Sequence, residues 1–517
     1  MAAAAVRIVS KGARPAPAKT ARTLTRASPE QSECDFKGGD MDRRERPNGR
    51  FRVVGIDDLF FSTTDRKGVI TGANSVFQRL SAFDQGELMG APHNLIRHPG
   101  MPGGAFRLMW DTILARRPFA AYVRNLAKDG YTYWVFATIT PLGDGFLSVR
   151  ATPCADKLWQ TASDLYEASA ALEDAARRAG QSRAESAAVG LGHLSRLLAK
   201  AGFASYDDFM FAALPAESTA RVAASHERLA RPDATGEVAD ILRAALFLRD
   251  RLGEILGRLD SLQSLAEALG SVAGELSGTL ADLAGVTTVA SNASAQVEAH
   301  APILASTARA MDCLGGGVDR AIRPLTARLG EVRGKVMELR FLIALAHLHD
   351  DMVINFAIEV LDGLAPPDGL SYVPLLCQAL SDGVDALAGR LGMAASALRQ
   401  VAGEVDACSV EFGQFQKLLA AWRIQVPRYG MSRTLGPFVG PIDLRLSRGH
   451  EELASFRALA AQCAAEARPF DRSAVQSPID QISQAARHLL AIPTDPTGPA
   501  LYGSRRSGPL AEAFARR

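Results

Sequence analysis

The sequence predicts two parts of different class. Residues 51–155 are expected to form an α+β domain, a five-stranded antiparallel sheet with flanking helices. A large all-α helical and coiled-coil region should follow. Three observations lead there. Residues 55–153 alternate short, β-rich apolar runs with turn signals. From Asp156 onward the apolar spacing becomes helical. Aromatic residues make up only 7% of the chain while Ala, Leu and Gly abound, which suits helices packed on helices more than a second sheet domain.

The elements read off in order. Leu59-Phe-Phe-Ser-Thr-Thr is β-rich, Asp65-Arg-Lys-Gly68 is a turn, and Val69-Ile-Thr continues as a second strand, giving a hairpin. Residues 74–83 have helical spacing. Residues 101–116 place Phe106, Met109, Trp110 and Ile113 on one helical face, and Pro118 ends that helix. Tyr122-Val-Arg-Asn, the turn Lys128-Asp-Gly130 and residues 131–140 form another hairpin with an Asp-Gly signal. Residues 145–150 close the sheet.

Beyond Asp156, Leu158, Ala162, Leu165, Ser169 and Leu172 fall on one helical stripe. Helical segments then continue to about Ile492, with expected breaks at Ala201-Gly-Phe, Arg231-Pro-Asp, Gly315-Gly-Gly, Ala365-Pro-Pro-Asp-Gly and Val426-Pro-Arg-Tyr-Gly. Residues 238–284 and 322–361 are long enough for an extended bundle or coiled coil. The expected organisation is a disordered basic arm (1–50), the sheet domain (51–155), a helical connector (156–235), a helical bundle (236–492) and a disordered tail (493–517). Residues 1–28 carry six basic and no acidic side chains, a composition like that of a transit peptide. Met41 lies just ahead of the patterned region and is an alternative start. No fixed-period repeat is visible.

Net charge is +2 and 22% of residues are charged, a balance that points away from nucleic-acid binding. The six cysteines show neither a C-x-x-C pair nor a disulfide framework, so a reducing cytoplasm is the expected compartment. No stretch of about 18 uninterrupted apolar residues exists, and no transmembrane helix is predicted. Phosphate-binding loops, kinase signatures, G-x-S-x-G, H-E-x-x-H and cyclase signatures are not found, so no enzyme is expected.

The chemistry concentrates between Phe61 and Val135. Three separated motifs occur there: Phe61-Ser-Thr-Thr-Asp-Arg-Lys-Gly-Val-Ile-Thr-Gly-Ala-Asn-Ser-Val-Phe77, Ala91-Pro-His-Asn-Leu-Ile-Arg-His-Pro-Gly-Met-Pro102, and Asn125-Leu-Ala-Lys-Asp-Gly-Tyr-Thr-Tyr-Trp-Val135, with Phe106-Arg-Leu-Met-Trp110 between the last two. Together, over residues 57–153, they resemble the PAS domain of bacterial aerotaxis receptors, redox sensors that carry a flavin. The resemblance implies a PAS fold and FAD as cofactor. It assigns cofactor contacts to Asn74, His93, Asn94, Arg97, His98, Phe119 and Trp134. Arg97 offers a fork of donors to a phosphate or a ring carbonyl, and Asn74 can donate and accept at a ring edge. Strand alternation sends one of Tyr133 and Trp134 toward the pocket. Haem held by His93 or His98, or no cofactor at all, are the alternatives. The chain departs from the family at Gly100, where Asp is usual, and at Phe119, where Trp is usual. It also has Arg124-Asn-Leu-Ala-Lys-Asp-Gly130 in place of a more basic run.

The helical half resembles chemotaxis-type sensors in residues 321–361. It lacks the receptor tip run Asn-Leu-Leu-Ala-Leu-Asn-Ala and evident methylation pairs. His347-Leu-His-Asp-Asp351 is read as a polar stripe on an amphipathic helix, with Asp350 and Asp351 available to arginines of a neighbour. Trp422 is read as an anchor at a helix–loop joint. The expectation is a sensory protein, homodimeric through its helices, that signals to chemotaxis-type proteins. A cofactor-free PAS interaction scaffold is the alternative.

Overall fold

A computed structural model describes residues 46–225 and 229–491. The expected disordered arm and tail lie almost wholly outside those residues. Strands β1 (Phe60–Asp65) and β2 (Ile70–Ala73) precede helices α1 (Ser75–Ser81), α2 (Gln85–Leu88) and α3 (Gly103–Leu114). Strands β3 (Phe119–Leu126), β4 (Thr132–Leu142) and β5 (Gly145–Ala151) follow. The sheet order is β2-β1-β5-β4-β3, with every neighbouring pair antiparallel. Pairing of β1 with β5 closes the sheet across about 85 residues of chain, so both hairpins serve one sheet, as the sequence predicts.

The two sheet faces have different company. Phe60, Ile70, Phe77, Leu80, Leu88, Ile96, Tyr133 and Val135 form an inner core beneath the short helices. The opposite, outer face belongs to the core of the helical region: Leu59, Phe61, Tyr122 and Phe136 join it. That second burial explains why strand residues of both parities are apolar.

Helices α4 (Asp156–Arg178), α5 (Arg183–Lys200) and α6 (Tyr206–Ala224) wrap the sheet domain. The buried side of α4 is Ala162, Leu165, Tyr166, Ser169 and Glu173, while Leu172 of the expected stripe is exposed. The stripe turns because Glu173 is drawn inward to cap α3. Helices α7 (Glu237–Ala295), α8 (Pro302–Leu361) and α9 (Val373–Arg428) are each roughly 85–90 Å long by the helical rise. Helices α10 (Ser432–Glu466) and α11 (Arg472–Ala491) together form a fourth column. They pack on α7 and α9, and α8 also lies between α7 and α9. One chain therefore closes a four-column bundle, and leucines such as Leu252, Leu269, Leu376 and Leu380 are fully buried without a second copy.

The expected break at Gly315-Gly-Gly does not occur, since α8 runs through it. A Cβ at Gly315 would lie 3.3 Å from Thr287 of α7 and 3.5 Å from Phe415 of α9, so the triplet is where columns approach closely. Packing overrides the low helix propensity of glycine there. The stretch Ala327–Leu361 is apolar and long enough to cross a membrane, but 94% of its most apolar window is buried against the rest of the protein. It forms part of one buried column of the bundle, between α7 and α9. Trp422, fully buried, donates from its indole to Ser294 Oγ at 3.3 Å, joining α9 to α7 near their shared end.

Candidate functional site

Residues 91–102 form a strap over the inner face. At the β2 side, Ile70 N donates to Ala91 O and His93 N to Gly68 O. At the β3 side, His98 N donates to Arg124 O. The most distinctive motif of the sequence is thus the closure of the inner core, running from one edge of the sheet to the other.

Beneath it lies a polar centre. Arg150 of β5 is 5% exposed and points inward opposite Phe60. It donates to Ser62 Oγ at 2.9 Å and to His93 Nε2 at 2.8 Å, and its guanidinium sits 5.0 Å from the Phe60 ring centre. Arg150 is the one charged side chain that is buried between residues 51 and 155 among the described residues, and no carboxylate pairs with it. Burial pulls its pKa down to about 10, which leaves it cationic at neutral pH. Burial, then the Arg150 charge, holds His93 well below the usual histidine range, so its imidazole is a neutral acceptor. The cross-strand pair Asn125 and Tyr133 faces the same core, and the buried Asn125 Nδ2 and Tyr133 Oη lie beside each other with no other polar partner. Phe60 and Phe77 stack at 4.8 Å and complete the surroundings.

The residues singled out in the sequence divide into three groups. His93 joins the polar centre. Asn74, Arg97 and His98 hold the frame: Asn74 Oδ1 accepts from Phe61 N and Phe77 N while its Nδ2 donates to Leu59 O, capping α1 and tying it to β1. Arg97 donates to Met101 O and lies 3.8 Å over the Phe106 ring. His98 Nδ1 accepts from Gly100 N, and burial, aided by Arg124, lowers its pKa to about 4. Asn94, Phe119 and Trp134 look elsewhere. Asn94 is exposed. The Phe119 ring stacks flat on Tyr206 of α6, 5.1 Å away. Trp134 packs edge-on against Trp159 of α4 at 6.0 Å, so of the aromatic pair it is Tyr133 that faces the inner core. The Gly100 departure has a local cause: a Cβ there would fall 2.2 Å from Arg124 Nη2. Arg124 occupies the space that a side chain at 100 would need.

Sequence reasoning missed Arg150, Ser62, Asn125 and Tyr133 as one cluster. The available signal was a charged residue at an inward strand position, Arg150 opposite Phe60. It also missed two carboxylates that lock the helices to the sheet domain, Glu173 and Glu217, while a third, Asp351, had been read as available to a neighbour's arginines. Glu173 of α4 accepts from Gly103 N at 2.7 Å and Gly104 N at 2.8 Å, placing a negative charge on the N-terminus of α3. A Cβ at Gly190 of α5 would lie 1.9 Å from that carboxylate, so glycine there makes the room. Glu217 of α6 accepts from Tyr122 Oη at 2.7 Å, Cys154 N at 2.6 Å and Ala155 N at 3.0 Å. Asp351 of α8 pairs with Arg221 of α6 at 2.8 Å and Arg249 of α7 at 2.9 Å. Arg221 also donates to Ile56 O, just ahead of β1.

Beside Asp351 the bundle touches the sheet directly. His349 Nε2 lies 3.3 Å from Thr140 Oγ1 of β4, and Phe61 of β1 packs 5.5 Å from Phe356 and 4.9 Å from Tyr372. Of the two aspartates, only Asp351 finds arginines. Asp350 is fully buried with both oxygens unpartnered, and burial, then the neighbouring Asp351 charge, pushes its pKa well up, which holds it protonated.

Comparison with known proteins falls on the sheet domain. The chain is 38% identical over 117 residues to the aerotaxis receptor of Escherichia coli (strain K12), covering 22% of this chain and 23% of that protein. It is 30% identical over 99 residues to the nitrogen fixation regulatory protein of Klebsiella pneumoniae, covering 19% and 20%, and 28% identical over 99 residues to its counterpart in Klebsiella oxytoca. The N-terminal segment is a PAS-type sensory domain. The chain spans only about a fifth of the length of these relatives. No protein-family profile matches it.

Proposed function

We propose that the inner core of the PAS-type domain holds FAD, and that its redox state is passed through the outer face of the sheet to the four-column bundle, in an aerotaxis-like role. The observation that carries this reading is the polar centre: a buried arginine without a carboxylate, beside Tyr133 Oη and Asn125 Nδ2, which meet no polar group but each other. Buried polar groups are ordinarily fully satisfied, so an under-satisfied polar centre inside an apolar core supports a place for a ligand. The donor set fits a flat heteroaromatic ring rich in carbonyls. Arg150, Asn125 and Tyr133 would meet its polar edge. A bound flavin would supply a centre whose charge and hydrogen bonding change on reduction. Haem is less well served, because His93 Nε2 is taken up by Arg150 and His98 Nδ1 by Gly100 N. Chemotaxis-type partners of the bundle are part of the same proposal.

The test is an absorption spectrum of the purified chain before and after dithionite. Two broad bands, in the near-ultraviolet and the blue, that bleach on reduction are the expected result. A colourless, folded protein contradicts the flavin reading and favours a cofactor-free scaffold that only docks partners.

A further inference from the structure

We infer that Glu173 is a latch: seated on the N-terminus of α3 it orders the first turn of that helix and tightens the strap 91–102, and its release loosens the strap and the α4–α5 pair together. The latch works whatever the inner core holds, and it gives that core a second route to the helices, separate from the outer face of the sheet. Helix α3 has no cap of its own. Pro102 stands at its N-cap without a side-chain hydrogen bond, and its first turn carries no acidic residue. The helix opens on Gly103-Gly104, and glycine costs a helix more than any residue except proline. The orphan amides of that turn are met from 70 residues away, where Glu173 Oε2 accepts from Gly103 N and Oε1 from Gly104 N. Glu173 is 4% exposed, so those two amides and the helix dipole take the place of its water. Arg97 of the strap adds its charge: burial lowers its pKa to about 10, and Glu173 opposes that fall. A Cβ at Gly104 would fall 2.5 Å from Leu191 N, so α3 and α5 meet backbone to backbone around the carboxylate. Helix α5 starts unaided, with a capping box between Ser182 and Glu185. Order at the start of α3 is therefore conditional on the helical connector. The strap runs straight into this turn, since Arg97 Nη2 donates to Met101 O and Met101 N to His98 O just before Pro102. Slack at Gly103 passes into the strap, and a shift of the strap pulls on Glu173.

The test is hydrogen–deuterium exchange of the full chain in wild type, E173A, G190A, H98A and the double variant H98A/E173A. In E173A, residues 103–107 should exchange roughly 10- to 100-fold faster, the range for a lost hydrogen bond to a charged group. The strap 91–102 and helix α5 should speed up with them, while β4 and β5 do not. G190A, whose new methyl claims the place of the carboxylate, should give the same pattern with Glu173 still present. H98A removes the acceptor that Gly100 N uses within the strap. It should speed exchange across residues 165–195 when Glu173 is present, and add nothing there in the E173A background. That dependence separates a latch from a brace, because a merely structural Glu173 gives additive effects. A strap that exchanges at the wild-type rate in E173A, or an H98A effect on α4 and α5 of equal size with and without Glu173, would overturn the inference. Should E173A fail to fold, E173Q, which keeps one acceptor oxygen and loses the charge, decides: a strap loosened in step with residues 103–107 supports the latch, and a strap left unmoved overturns it.

Discussion

Replacing Asp351 with alanine is expected to destabilise the protein by about 3–5 kcal/mol, the usual loss when one member of a buried ion pair is removed. Asp351 is 5% exposed and sits between Arg221 and Arg249, whose side chains are only 14% and 18% exposed. The variant leaves two guanidiniums facing each other without a counter-charge at the junction of α6, α7 and α8. A urea titration of wild type and D351A reads the difference. An equal midpoint would show that the triad contributes nothing to the joint. The same layer should make the protein acid-sensitive. Burial lowers His349 to about 4, against an ordinary value near 6.5, so between those values the folded state binds fewer protons than the unfolded chain. Its contribution is therefore complete above pH 6.5 and is lost as pH falls toward 4. A melting temperature that does not fall across that window would contradict the assignment.

The second large effect is expected at Glu217. E217A strands the Tyr122 hydroxyl and the amides of Cys154 and Ala155, three donors at the point where β5 leads into α4. An unmet buried donor costs about 1–3 kcal/mol, and such losses overlap, so a total of about 2–4 kcal/mol is expected. Burial raises the Glu217 carboxyl pKa, only partly opposed by its hydrogen bonds, so the folded state favours the protonated form. That preference stabilises the fold at low pH and is lost as pH rises through the folded-state value. Near neutral pH, E217Q should then be milder than E217A, since its amide oxygen can still accept from Tyr122 Oη and Ala155 N and carries no charge to desolvate, with only the bond from Cys154 N lost. Equal melting temperatures for the two variants would show that the charge, and not acceptance, is what matters.

The sheet domain was legible because its signals are local. The Asp-Gly turn at 129–130, the helix-ending Pro118 and the strap motif each set an element by short-range chemistry, and strand order followed. The long helices were legible from their period. What escaped was set by contacts between distant segments. The Gly315 triplet reads as a break until Thr287 and Phe415 are seen beside it. Leu172 reads as core until Glu173 is seen reaching α3. In the candidate site, His93 was found because it lies in the motif. Arg150 was not, because its meaning depends on what surrounds it: no carboxylate in one core, and the Asn125–Tyr133 pair across the sheet. Asn74, Arg97 and His98 were read as cofactor contacts; the structure has them hydrogen-bonded within the frame around the core.

The account turns on one connection: a change in the inner core reaches the bundle through Thr140, Phe61 and the Glu217 clasp. The most direct test is hydrogen–deuterium exchange of the full chain, compared before and after dithionite reduction. The account predicts altered protection in β4 and β5, at the start of α4, and in α8 across residues 343–358, where His349 and Phe356 meet the sheet. A change confined to residues 51–151, or no change anywhere, would contradict it.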